Sequence, residues 1–510
     1  MKRNALAILL LAIAFIASFP AAALAEGREI VILHTNDIHG RVLPFKDKAT
    51  GRTIDGAPGL LAKIEAMRKL FGSENVLLID AGDMSQGTPM SNMFCGDPVT
   101  DFMNRAGYDC STLGNHEFEW GRKEMERQIK RRRFPIVCAN IVDKRTRKVP
   151  ALITPFTIVE RGGMKIGLIG LTPPENVKMC FKENIEDFEF TDPLESVNKS
   201  KSELHSMGIR TIGIVSHLGY EEDLALAERL EGVAFIIGAH THTAVEDPKA
   251  VNGIPVFQTG CHTRNLGVAR IVIDPDTGKT LSFKGTLIPN SGKDEGLLKD
   301  MESYNERVKS IMAEKIGEAA GDVPNSTKGD KSGTTAIGDL ITDIMRDISK
   351  TDIFIINSSS FKDGFRKGAI TKEDLFYAIP YDNRILTFSI SGADLPGMID
   401  YYFDRDVFCQ VSGITMDYDA GKPMGSRFSS ILVNGRPIDP KKTYKVGMID
   451  FLYSMSNDCP GISRFTNVSN GKPQRDEVEK WIRSHGALSA PEGVRIRLLN
   501  GKSPGERKGH

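Results

Sequence analysis

The chain has 510 residues, 66 Lys+Arg against 66 Asp+Glu, with 40% hydrophobic and 26% charged side chains. That length accommodates several domains, and the ordinary globular composition excludes wholesale disorder. Balanced charge argues against a nucleic-acid coat or a polybasic membrane binder, so an anionic substrate must be held by a local site, a metal for example.

Residues 1–25 read as an export signal. Lys2 and Arg3 precede an apolar run from Ala5 to Phe19, and Ala23-Leu24-Ala25 offers small residues for cleavage before Glu26. The run of 15 residues is short for a membrane-spanning helix. The expectation is an exported protein, periplasmic or extracellular, without stable membrane insertion. Seven cysteines (Cys95, Cys110, Cys138, Cys180, Cys261, Cys409 and Cys459) leave at least one thiol unpaired. Cys110 and Cys138 sit in apolar runs and read as small buried hydrophobes.

From Arg28 to about Pro289, short β-branched runs such as Ile30–Leu33, Val76–Ile79, Ile166–Ile169, Ile212–Val215 and Phe235–Ile237 alternate with helical stretches. Such continuous runs suit strands buried on both faces. Ala57–Phe71 and Asp223–Leu230 carry helical spacing, and Asp274-Pro275-Asp276-Thr277-Gly278 marks a hairpin within Val268–Ile288. Leu297, Met301, Tyr304, Val308 and Ile311 then recur at helical steps in a charged segment. Gly321–Gly333 reads as a loop or hinge. A second mixed domain begins with a helix near Ile337–Ile348 and a strand at Asp352–Ile356.

Eight of the ten histidines lie between His34 and His262. Five apolar runs end in polar groups: Asp37-Ile38-His39, Asp80-Ala81-Gly82-Asp83, Gly114-Asn115-His116-Glu117, Ser216-His217 and Gly238-Ala239-His240-Thr241-His242. In open α/β sheets the carboxyl ends of strands converge on the ligand crevice. Asp-x-His and His-x-His place alternate side chains on one face. Imidazole, carboxylate and amide ligands suit zinc, manganese or iron. Two such cations roughly 3.5–4 Å apart can activate a bridging hydroxide for in-line attack on phosphorus. Each segment alone is weak, since Asp-x-His is often a capped turn and His217 could be a core histidine. All five together indicate a dinuclear site.

The five segments resemble the metallophosphoesterase (calcineurin-like) motif series. Thr35-Asn36-Asp37-Ile38-His39-Gly40 and Gly114-Asn115-His116-Glu117-Phe118 resemble the 5′-nucleotidase family in particular. The resemblance covers almost all of the chain after the signal. It implies an α/β fold: an N-terminal metallophosphoesterase sandwich of mixed sheets flanked by helices (26–290), a linker helix and hinge (291–333), a smaller α/β substrate-binding domain (334–500) and a polar tail (501–510). It implies that Asp37, His39 and His242 hold one metal and Asn115, His217 and His240 the other, with Asp83 bridging. His116 would stabilise the phosphoryl transition state or protonate the leaving oxygen. Glu119 stands where the family often has an orienting Asp, and Gly238-Ala239-His240 where it often has Gly directly before His. Arg41 reads equally as a phosphate contact or a solvated loop arginine, and His34 and His262 as structural or supporting.

In the second domain the family's Asn-Gly-Gly-Gly-Ile-Arg is here Asn357-Ser358-Ser359-Ser360-Phe361-Lys362. The added side chains narrow the backbone's approach to a ligand, and Lys lacks the bidentate fork of Arg. Tyr381 and Asn383 match the segment that stacks on and hydrogen-bonds a base, though Tyr381 also reads as core packing. Gly-Gly-Asp-Gly-Tyr survives only as Ser456-Asn457-Asp458-Cys459-Pro460, with Asp458 retained and the second aromatic falling to Tyr453 or absent. The expectation is hydrolysis of a small nucleotide or other phosphate ester, not action on a nucleic-acid duplex, with altered preference for nucleoside monophosphates. Two alternatives stand beside it: a non-nucleotide ester hydrolase of the same superfamily, such as one acting on sulfur-oxidation carrier proteins, and a non-catalytic binding protein.

Overall fold

The computed structural model describes residues 27–47, 50–180, 182–327, 333–405, 407–456, 459, 465–469 and 471–499. The segment expected to be an export signal, the polar tail and part of the Gly321–Gly333 stretch expected to be a loop or hinge lie outside these residues. Backbone contacts divide the chain into two compact units, with the boundary between Val308 and Lys309.

The first unit is built on two sheets. In one, β1 (Arg28–Thr35) lies parallel to β2 (Val76–Asp80), which lies parallel to β3 (Cys110–Ser111). The other sheet contains β4 (Phe156–Arg161), β5 (Met164–Leu171), β6 (Thr211–Ser216), β7 (Phe235–Ile237), β8 (Ala250–Val251) and β9 (Ile254–Phe257), in the order β8-β9-β7-β6-β5-β4. Its inner four strands are parallel and its edges antiparallel. The first sheet is completed by β10 (Asn265–Ile273) and β11 (Thr280–Pro289), the hairpin expected around Asp274–Gly278, with β10 antiparallel to β1.

Alternation explains how the layers assemble, because successive strand residues face opposite ways. Ile30 and Ile32, Leu77 and Ile79, Ile166 and Leu168, and Phe235 and Ile237 form one buried cluster shared by both sheets. Ile169, Leu171, Ile212, Ile214 and Ile236 form a second cluster with Val197 and Leu204 of the helix Pro193–Ser206. Strands covered on both faces read as unbroken apolar runs, as these do.

Three helices matter below: α1 (Asp97–Ala106) and α2 (Gly121–Arg131) of this unit, and α3 (Glu295–Met312), which begins in it and runs past Val308. Leu297, Met301 and Val308 form the buried stripe of α3. In the second unit, α4 (Ala336–Ser349) packs Ile337, Ile341, Ile344 and Met345 into a core with Ile353 and Ile355. Those isoleucines belong to β12 (Ile353–Asn357), an inner strand of a five-stranded sheet. Cys110 and Cys138 are both buried, as their apolar surroundings imply, and every cysteine is a free thiol.

Candidate metal centre

Each of the five polar segments begins where a strand of the first unit ends. Asp37 and His39 follow β1, Asp83 follows β2, Asn115 and His116 follow β3, His217 follows β6, and His240 and His242 follow β7. Five of these residues have left-handed backbone: Asp37 (φ 50°), His39 (φ 49°), Asp83 (φ 53°), His240 (φ 76°) and His242 (φ 56°). That conformation is uncommon for residues with a Cβ, and it clusters where a site dictates the backbone. Here it turns the chain sharply off each strand. Gly114 has a related role: a Cβ there would lie 2.1 Å from Asp83 Oδ1.

The side chains converge as three overlapping groups, Asp37–His39–His242, His39–Asp83–His116 and Asp83–His217–His240, each with donor atoms within 4.8 Å of one another. His217 Nε2 lies 3.1 Å from Asp83 Oδ2, and His242 Nε2 lies 3.4 Å from Asp37 Oδ1. His39 Nε2 is 3.8 Å from Asp37, 3.9 Å from Asp83 and 3.0 Å from His242 Nε2. Asp83 thus stands between two sets of donors.

Two histidines are oriented from behind. His217 Nδ1 donates to the Ala81 carbonyl at 2.7 Å and His39 Nδ1 to the Gln86 carbonyl at 3.0 Å. Holding the proton at Nδ1 leaves the Nε2 lone pair for a cation. Asp37 Oδ1, Asn115 Oδ1 and His217 Nε2 are buried without an aligned hydrogen bond. Buried polar atoms of this kind normally have partners. The orphaned atoms of Asp37 and His217 belong to these donor groups and that of Asn115 directly precedes His116, an arrangement that fits divalent metal ions.

The electrostatics agree. Burial opposes charge on Asp83, yet the His217 and His116 imidazoles hold it well below the usual carboxylate range. Burial also opposes charge on His217, but Asp83 outweighs it and pushes the imidazole up to about 10. The hydrogen bond that the His242 imidazole donates to Asp37 raises His242 to about 10. A site that draws protons this strongly can exchange them for cations.

His116 is placed differently. Its backbone N–H donates to Asp83 Oδ1 at 2.9 Å, and its Nδ1 meets Glu119 Oε1 at 2.8 Å. The longer Glu119 side chain therefore reaches the imidazole. Despite burial, Asp83 and Glu119 raise His116 to about 9. His34 lies apart, buried and pushed down to about 3, its ring against Gly267 and Phe257. His262 has ring centroids 5.5 Å from His39 and 5.7 Å from His242, and its N–H donates to the Asp37 carbonyl. Arg41 lies over the Phe45 ring with its Nε buried.

Sequence reasoning missed Glu117. Its buried carboxylate accepts from the backbone N–H groups of Asp83 (2.9 Å), Met84 (3.0 Å) and Gly114 (2.7 Å), locking two strand ends together. It also missed Asn36, which bonds Asp37 Oδ2 and the Gly260 carbonyl while accepting from Thr259.

In the second unit, Asn357 ends β12, but its amide is held locally: Nδ2 donates to Ser359 Oγ at 2.6 Å, and Ser360 Oγ donates to Oδ1 at 2.9 Å. Lys362 Nζ lies 5.7 Å over the Tyr381 ring, which is 48% exposed. Tyr381 is therefore not core packing. The Asn383 carbonyl accepts from Gln474 N at 2.8 Å. Tyr453 packs against Phe388 and Phe465, whereas Phe451 is 51% exposed. The Asp450 N–H donates to the Arg384 carbonyl and the Asp450 carboxylate accepts from the Arg384 N–H, bringing Phe451 beside the Tyr381 segment. Asp458 lies outside the described residues.

The calcineurin-like phosphoesterase family matches residues 30–244, and the 5′-nucleotidase C-terminal domain matches residues 315–460. The first unit is thus a metallophosphoesterase domain, and the chain is a metal-dependent phosphoric ester hydrolase. Snake venom 5′-nucleotidase from Gloydius brevicauda is 28% identical over 479 residues, covering 83% of this chain and 81% of that protein. Endonuclease YhcR from Bacillus subtilis (strain 168) is 29% identical over 455 residues, covering 82% of this chain but only 37% of its own length. The solved 5′-nucleotidase precursor from Thermus thermophilus is 26% identical with a TM-score of 0.63, covering 92% of this chain and 99% of that one. The chain belongs to the 5′-nucleotidase family.

Proposed function

We propose that the chain is an exported phosphohydrolase that uses two divalent cations on nucleotide phosphate esters. The observation that carries this reading is the overlap of donor groups at Asp83 together with the orphaned atoms of Asp37, Asn115 and His217. Asp37, His39 and His242 would hold one cation and Asn115, His217 and His240 the other, with Asp83 shared. Zinc, manganese and iron all suit the set. Bound cations would activate water and neutralise charge on the phosphoryl group.

The chain's own groups supply the remaining chemistry. Glu119 holds the His116 Nδ1 proton and so fixes the ring, leaving Nε2 to the substrate. As the phosphorus–oxygen bond to the leaving group breaks, His116 Nε2 gives its proton to the departing oxygen. Asn357, Lys362, Tyr381, Asn383 and Asp458 would recognise the remainder of the substrate. The exposed rings of Tyr381 and Phe451 on adjoining segments support binding of a planar base.

A second reading, hydrolysis of a non-nucleotide ester, draws support from the Asn357 amide, whose hydrogen bonds to Ser359 and Ser360 compete with any ligand. Activity on a panel of nucleotides and sugar phosphates, each with added zinc, manganese or iron, tests both. Preference for nucleotides supports the first reading, and indifference to the base supports the second. Absence of phosphate release from every ester would overturn both. Among the described residues no helix is long and apolar enough to cross a membrane. N-terminal sequencing of the secreted protein should begin at Glu26, and retention of Met1 would contradict the signal.

A further inference from the structure

A cavity of about 600 Å³ lies between α1 and α3, within the first unit. That volume falls within the roughly 300–1,000 Å³ of small-molecule sites. Its position separates it from the metal centre. Asn104 and Arg105 end α1, which leads into the amino end of β3, and Arg133 precedes Ile136, which bridges to Ser111 of that strand. Asn115 and His116 follow the opposite, carboxyl end.

The charges of the wall sort into two kinds. Arg105 is spent on Asp294 and Asp300, at 2.9 and 3.0 Å. Asp101 is already satisfied by Arg131 at 2.8 Å and by the Tyr304 hydroxyl at 2.6 Å. Arg133 and Arg307 also line the cavity, and neither is ion-paired among the described residues. Arg133 is fixed at its backbone and Arg307 at its guanidinium. Asn104 Oδ1 accepts from the Arg133 backbone N–H at 2.7 Å, and the Arg307 guanidinium lies 4.3 Å over the Phe94 ring and 5.6 Å over Tyr304. The lining acids are therefore neutralised while the guanidiniums of Arg133 and Arg307 are not.

We infer that this cavity binds a phosphate-bearing small molecule, at a site separate from the reaction centre. Guanidiniums in a concave wall focus positive potential and pair strongly with phosphoryl oxygens. They arrive from different elements, the segment after α2 and helix α3, so together they suit a tetrahedral group with oxygens on several sides better than a flat carboxylate. Leu297 and Met301 give the same cavity an apolar wall for the rest of the ligand.

Equilibrium dialysis of inorganic phosphate against the full-length, metal-loaded protein tests this. The wild type should bind phosphate at a second site beyond the reaction centre. In R133S/R307S that second site should weaken by at least ~10-fold, with hydrolysis of a small generic ester unchanged. R133K/R307K should recover part of the binding. Should the double serine variant fail to fold, R133E alone carries the test, because Arg133 is exposed and free of ion pairs among the described residues. Wild-type phosphate binding in R133S/R307S or R133E would overturn the proposal, as would loss of hydrolysis in parallel with binding. Failure of the phosphohydrolase assignment would instead show as absent turnover with this second site intact.

Discussion

The strand-end cluster of the first unit and the Asn357–Asn383 surface of the second hold their polar groups in opposite ways. In the cluster, Asp37 and His217 are fully buried, backbone carbonyls fix imidazole orientation, and several donor atoms have no protein partner. On the second surface Tyr381 is half-exposed, Lys362 leans on its ring, and the Asn357 amide is bonded to its own serines. Preorganised donors suit metal chemistry, whose geometry hardly varies between substrates. A more open surface suits recognition, which can change while the chemistry stays.

Substitutions in the cluster should cost the most. Asp83→Ala removes the carboxylate shared by both donor sets, so hydrolysis should fall at least ~10³-fold and bound metal should be lost. Elemental analysis showing full metal content in that variant would break the contrast at its centre. His116→Asn should lower kcat by ~10²–10⁴-fold while metal content stays at the wild-type level, because the ring is assigned to proton transfer. Emptying of the site by that change would make His116 a ligand instead.

Glu117→Gln probes the layer behind the ligands. An amide keeps one acceptor oxygen in place of two, so metal affinity should weaken ~10–100-fold in a competition titration against a chelator. On the second unit, Tyr381→Ala should raise KM for nucleotides ~5–10-fold, from the lower end of base-stacking energies, without moving KM for a small generic ester. Equal effects on both substrates would make the ring a structural element and erase the distinction between the two surfaces.

A separate effect concerns pH. Burial pushes the Asp223 carboxyl up to about 8, against an ordinary value of 3.8, although Ser216 bonds one of its oxygens. The folded chain therefore holds a proton there that the unfolded chain releases above its own pKa. Stability from this group is complete below the unfolded value and is lost as pH rises from about 4 towards 8. Asp223→Asn should flatten the fall in Tm across that window and melt higher than the wild type near pH 8. An unchanged slope would mean that Asp223 ionises normally.

Much of the cluster is legible in the amino-acid order because metal ligation restricts residue type and the restricted residues follow apolar strands. Asp37, His39, Asp83, Asn115, His217, His240 and His242 all announce themselves in this way. Glu117 and Asn36 do not, since they act on backbone amides and carbonyls, which leave no spacing rule in the sequence. The layered fold was legible from unbroken apolar runs, but the pairing of β1 with β10 was not, because nothing local specifies a partner so distant in the chain. In the second unit the serines were visible as a departure from the family. Their capture of the Asn357 amide depends on a tight turn that side-chain identities alone do not reveal.

That distant pairing has a consequence for how the molecule comes into being. Strand β1 sits between β2 and β10, and Arg28 lies opposite Ile273. A chain emerging from its amino end cannot finish this sheet until β10 has followed. Such non-local pairing forms slowly, so this sheet is completed only once its distant strand has emerged rather than stepwise from the amino end. Asp37 and His39 ride on the first strand, whereas His240 and His242 emerge only shortly before the closing one. The donors would then gather at a late step, and whichever compartment holds the chain at that moment would decide which metal it takes up.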